Sequence, residues 1–210
     1  MDIEGAIDYL NSLNDILTEL ILNRTCCLDF HNALVEQKAM QNHFISWCLS
    51  NYHKITVINL CKLLEPRGAD NNKRTLQHFV NFWSKPENYK VLKQTMENAV
   101  IEYHESDTGA VYTEDISQNM LEYLRGVNFE NDLATIQGMH TKLKTLRDKR
   151  LVHNDFVEFD IISPRIVELH SFIDEIEAMI KSYYGLFRQG ITYENLKQSP
   201  RYGKFTLRLK

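Results

Sequence analysis

Residues 3–20 read IEGAIDYLNSLNDILTEL. Ile3, Ala6, Leu10, Leu13, Leu17 and Leu20 recur at intervals of three and four, the period of a helix with one buried seam. Asp2, Asp8, Asp15 and Glu19 fall off that seam. After a break expected near Asn23, Thr25 to Val35 continues as helix. Glu36 to Leu64 forms a second long pattern, with Phe44, Trp47, Cys48, Ile55, Ile58 and Leu63 on its apolar side. The arc from Thr56 to Leu64 is broad and predicts burial on more than one side. The breaker cluster Glu65-Pro66-Arg67-Gly68 ends it, and a polar loop follows.

A short helix is expected over Thr75–Trp83 and another from Pro86 to about Glu105. Residues 106–111 have turn composition, and weaker helical spacing resumes over 113–125. Glu130–Val152 shows the stripe Leu133, Ile136, Met139, Leu143 and Leu146. Ser163 and Pro164 supply an N-cap and a first-turn proline for the last long helix. That helix carries Ile166, Leu169, Ile173, Ile176, Ile180, Tyr183 and Phe187, and Gly190 closes it. The pattern predicts an all-α protein, a bundle of four long helices with short helices inserted between the second and third. It divides into one helical domain over residues 1–190 and a basic tail over 191–210.

Composition agrees with this reading. Only 8 Gly and 4 Pro interrupt 210 residues, and 43% of the chain is hydrophobic, enough to fill one core. The net charge of -4 excludes a general polyanion binder, so nucleic-acid contact would need a local patch. Cys26, Cys27, Cys48 and Cys61 form no C-x-x-C pair and read as reduced thiols. No basic, apolar leader and no apolar run of about 20 residues is present, so a soluble cytoplasmic protein without membrane contact is expected.

The site candidates are arginines followed by a histidine after four to six intervening residues: Arg24 and His31, Arg147 and His153, Arg165 and His170. Arg24 and His31 have no other cation near and read as a solvated arginine and a partly buried histidine. Arg165 and His170 stand about 140° apart around a helix and cannot easily converge on one ligand. His170 reads as flanking the core stripe. The third pair lies in LRDKRLVHND, residues 146–155. Lys142, Lys144, Arg147, Lys149 and Arg150 crowd residues 142–153 against one acid, Asp148. One or two cations near a helix C-terminus answer the dipole; five repel one another and call for an anion.

Arginine offers a permanent charge and a planar fork that matches phosphate, and histidine moves protons near neutral pH. RNA carries its own nucleophile, the 2′-hydroxyl. Cleavage then needs a base, an acid and positive charge on the phosphoryl oxygens, and no metal or other cofactor is demanded. One chain supplies one suitable Arg–His pair. Two chains about a two-fold axis supply separate acid and base, which predicts a homodimer with the site in its seam.

RDKRLVHND resembles the active-site motif of the HEPN superfamily, in its branch of phage abortive-infection proteins: Arg, a polar residue, a helical stretch, His, and Asp two positions on. Arg147, Asp148, His153 and Asp155 occupy those places. The resemblance covers residues 1–187 and extends to the helix order. It implies an up-and-down four-helix bundle that dimerises and a metal-independent endoribonuclease leaving a 2′,3′-cyclic phosphate. Arg147 and His153 would be catalytic, Asp148 would orient them, and Lys144, Lys149, Arg150 and Asp155 would contact RNA. An antitoxin protein is an implied partner. Where some members carry a Tyr two positions after the His, this chain has Asp155, which argues against a modifying nucleotidyltransferase partner. Many HEPN domains have lost catalysis, so a non-catalytic helical dimer that binds a protein or nucleic acid is the competing reading.

In the tail, Lys197, Arg201, Lys204, Arg208 and Lys210 alternate with Tyr193, Tyr202 and Phe205. That mixture suits single-stranded RNA, and KFTLRLK also suits strand pairing across a dimer. His43, His53, His78, His104 and His140 show no metal-ligand spacing, and Trp47 and Trp83 read as core.

Overall fold

The computed structural model describes residues 1–36, 43–66, 73–105, 125–148 and 164–187. These form six helices: α1 (Ile3–Glu36), α2 (His43–Leu64), α3 (Leu76–Trp83), α4 (Pro86–Glu105), α5 (Phe129–Leu146) and α6 (Ile166–Phe187). The described chain is an all-α bundle, with no strand among the described residues. The expected helical spacing over 113–125 falls almost wholly outside them, and the tail over 191–210 wholly so.

Asp2 starts α1 by accepting the Gly5 N–H at 2.8 Å, and Ala6, Leu10, Leu13, Leu17 and Leu20 are buried as the seam requires. The break expected near Asn23 does not occur. Asparagine is only mildly unfavourable in a helix, and its neighbours hold the backbone on course. Thr25 Oγ1 donates to the Ile21 carbonyl at 3.0 Å, and Arg24 reaches α6 to pair with Asp174 and, at 3.8 Å, Glu177. Arg24 is therefore largely buried, not solvated, while His31 is exposed. Asn11 meets Tyr184 near one end of α1, so α1 and α6 run antiparallel.

In α2 two apolar faces point opposite ways. Ile45, Thr56, Val57, Leu60, Cys61, Leu63 and Leu64 are buried. Phe44, Trp47, Ile55 and Ile58, expected on the same side as Leu63, face outward at 61%, 62%, 48% and 39% exposure. Trp47 is thus a surface residue, and only Trp83 is in the core.

The short α3 sits inside the bundle rather than on it. Tyr9 from α1 holds its start: the Tyr9 hydroxyl accepts the Thr75 N–H at 2.8 Å and donates to the Thr75 carbonyl at 3.2 Å. Thr75 in turn caps α3 by accepting the His78 N–H. Leu76, Phe79, Val80 and Trp83 are buried. Phe79 is the hub of an aromatic cluster, with ring centroids 5.7 Å from Tyr9, 5.5 Å from Tyr183 and 5.7 Å from Phe187. Tyr183 stacks on Phe129 at 5.3 Å and donates to Asp132 Oδ2 at 2.7 Å. Burial raises the pKa of both groups in that pair.

α6 begins two residues later than expected. Arg165 is its N-cap: its carbonyl accepts from Leu169, and its N–H donates to Glu168 Oε2 at 2.8 Å, the return half of a capping box. Pro164 instead offers its carbonyl to His53 Nε2 at 3.1 Å, and Ser163 lies outside the described residues.

Candidate functional site

Asn128 opens α5 by accepting the Asn131 N–H at 3.0 Å, with Glu130 and Asp132 favourably in the first turn. Ile136, Met139, Leu143 and Leu146 bury one stripe and fix the rotation of the helix. That rotation puts His140, Lys144 and Arg147 together on a neighbouring face, at the spacing i, i+4, i+7. Arg147 closes the helix, its backbone N–H shared between the Leu143 and Lys144 carbonyls.

The C-terminal ends of α2 and α5 meet at this point. Arg147 Nη1 donates to Glu65 Oε1 at 2.6 Å, and Arg147 Nε donates to Asp148 Oδ1 at 3.0 Å. The second Glu65 oxygen lies 3.8 Å from Lys73 Nζ. Glu65 follows directly on the negative end of α2, where a carboxylate is unfavourable unless a cation answers it; Arg147 does so. The two carboxylates keep the guanidinium charged. Its side chain remains 26% exposed, and its Nη2 edge has no partner among the described residues. Cys61 lies below, its thiol pushed up to about 11 mainly by burial.

His140 is a neighbour that the sequence reading set aside. Its Nε2 is buried without a hydrogen-bond partner among the described residues. Burial lowers its pKa from 6.5, and the opposing fields of Glu65 and Arg147 act on it next. His170 is also lowered, by burial and then by Arg24, with its Nε2 2.8 Å from the Tyr52 hydroxyl. A base whose native pKa is depressed binds fewer protons folded than unfolded. Its contribution is neutral above the unfolded value of 6.5 and becomes destabilising as pH falls through and below it. Resistance to thermal unfolding is therefore expected to fall as pH drops from about 7.5 to about 5.5, and His140→Gln should flatten that dependence.

Of the residues assigned from sequence, Arg147, Asp148 and Lys144 are placed together, Lys144 exposed and one turn before Arg147. His153, Lys149, Arg150 and Asp155 lie outside the described residues. The three described cations, Lys142, Lys144 and Arg147, do not share one face. Lys142 turns to α6, its ammonium 5.7 Å from the Phe172 ring centroid. Part of the anion that the crowded cations demanded is internal: it is Glu65. The other two Arg–His pairs do not form sites of that type, since Arg24 bonds α6 and His170 bonds Tyr52. Among the described residues no group of three or more His, Cys, Asp or Glu could hold a metal ion. No helix among them is long and apolar enough to cross a membrane.

Compared with known proteins, the chain matches no family model, no curated protein and no solved structure. The chemistry of the site is therefore argued from its own residues. An arginine fixed in orientation at a partly exposed helix end, with Lys144 beside it, can receive a phosphoryl oxygen. A histidine six positions further along the motif, if brought to the same place, would supply the proton transfers.

Proposed function

We propose that the chain is a metal-independent endoribonuclease of HEPN type that works as a homodimer, in phage defence by abortive infection or as the toxin of a toxin–antitoxin pair. The observation that carries the reading is the clamped guanidinium of Arg147: its chain neighbour Asp148 orients it from one side and Glu65, just past the end of α2, from the other. In this mechanism the RNA 2′-hydroxyl attacks phosphorus while one His153 takes its proton. Arg147 and Lys144 balance charge on the phosphoryl oxygens. The 5′-oxygen leaves with a proton from the second histidine, giving a 2′,3′-cyclic phosphate and a 5′-hydroxyl. Lys149, Arg150 and Asp155 are assigned to RNA contact on the motif alone.

The second reading, a non-catalytic dimer that binds a protein or nucleic acid, is favoured by one fact: two carboxylates already neutralise Arg147. Incubating end-labelled RNA with the protein in EDTA separates the two. Cleavage with a cyclic-phosphate end supports the nuclease. Retention of RNA without cleavage supports the binding module.

A further inference from the structure

The outward stripe of α2 is symmetric in sequence. Phe44, Trp47, Asn51, Ile55 and Ile58 fall within about 80° of the helix circumference, opposite the face that enters the core. Counted from Asn51, the apolar positions stand at −7, −4, +4 and +7. A two-fold axis at Asn51 would therefore set Trp47 against Ile55 and Phe44 against Ile58 of an antiparallel copy, and Asn51 against itself. An isologous interface requires such self-complementarity. A lone asparagine in an otherwise apolar seam fixes register, because any slip buries its amide against hydrocarbon. Phe44 and Trp47 are already stacked, with centroids 5.9 Å apart.

We propose that the outer face of α2 is a docking surface for a second copy of this chain, paired antiparallel about Asn51. Area supports that occupant. At 39–62% exposure the four apolar side chains present roughly 450 Å² per protomer, over half of the ~800 Å² per partner of a stable complex. Charge also permits it. Between His43 and Ile58 the only formal charge is Lys54, and the two-fold sets it opposite Cys48 rather than opposite its own copy. The broad apolar arc of this helix thus has a use that its own core does not supply.

The seam is separate from the Arg147 site and does not depend on the nuclease reading. Glu65 lies 14 residues beyond Asn51, so the two copies of Arg147 would stand roughly 40 Å apart across this seam. A catalytic centre shared between copies would need a second contact at the Arg147 end.

The test is the mass of the full-length protein by sedimentation equilibrium across a dilution series. The wild type is expected to be a dimer or a multiple of one. Trp47→Glu and Ile55→Glu, both at exposed positions, should halve that mass or reduce it to a monomer while helical circular dichroism is unchanged. The expected loss is at least about 100-fold in self-association. Asn51→Cys should form a disulfide-linked dimer on mild oxidation beyond the wild-type background, and Ser46→Cys, on the far side of the helix, should not. A monomeric wild type, or charged variants that keep the wild-type mass, would overturn the proposal. The stripe would then be covered by residues 188–210 or by a different protein. Loss of the α2 seam in Ile55→Glu with a dimeric contact and cleavage retained would leave the nuclease reading intact; cleavage by a true monomer would remove its two-subunit mechanism, and intact association with no cleavage would remove only the nuclease reading.

Discussion

Arg147→Ala is expected to reduce RNA cleavage by about 10²–10³-fold, the usual effect of deleting one group that stabilises developing charge. His153→Ala should cost about 10²–10⁴-fold as proton transfer is lost. The informative companion is Arg147→Lys. Lysine keeps the charge but has no planar fork, so it cannot hold Glu65 and Asp148 while presenting a further edge. It should leave the folded chain nearly as stable, because an ion pair this exposed contributes only about 1 kcal/mol or less. Cleavage should nevertheless fall almost as far as in Arg147→Ala. Glu65→Gln removes one of the two anions of the clamp and should lower kcat more than it raises KM, the mark of a positioning residue. Single-turnover cleavage of a defined RNA by these variants, each checked for folding, measures all four effects. Unchanged cleavage by Arg147→Ala together with His153→Ala would remove the catalytic assignment.

The largest effect on stability is expected at Phe79. Its ring is fully buried and meets aromatic side chains from α1 and α6. Phe79→Ala removes those contacts and leaves a cavity that three rigid rings cannot collapse to fill, a loss of about 3–5 kcal/mol. For a domain of marginal stability this is a large part of the total. Urea denaturation should show the midpoint falling with little change in slope. A loss below about 1 kcal/mol would mean that α3 is not integral to the core.

Much of the architecture was legible because helices advertise themselves locally. The seam from Ala6 to Leu20 and the stripe from Leu169 to Phe187 are buried as their spacing requires. What failed depended on distance or on competing signals. Asn23 resembled a stop, but the contacts that carry the helix past it include Asp174, 150 residues away. In α2, two apolar stripes share one helix, and periodicity cannot tell which one faces inward; only packing against α1, α3 and α5 decides it. The Arg147 motif was visible, yet its partner Glu65 lies 82 positions earlier. A hint was present in the acid immediately after a helix C-terminus, which is unfavourable without a cation. His140 has no metal-ligand spacing in the sequence, yet its position one turn from Lys144 and two from Arg147 is itself a helical-spacing signal for this face.

The Glu65 clamp also bears on ionic strength. Cationic sites for nucleic acid normally shed condensed ions as strands arrive, and each contact adds about 0.7 to the slope of log affinity against log salt for a single strand. A guanidinium whose charge two built-in carboxylates already answer has few mobile ions to shed. On the nuclease reading, strand capture should therefore respond to salt chiefly through Lys144 and its basic neighbours, with Arg147 adding little to the slope.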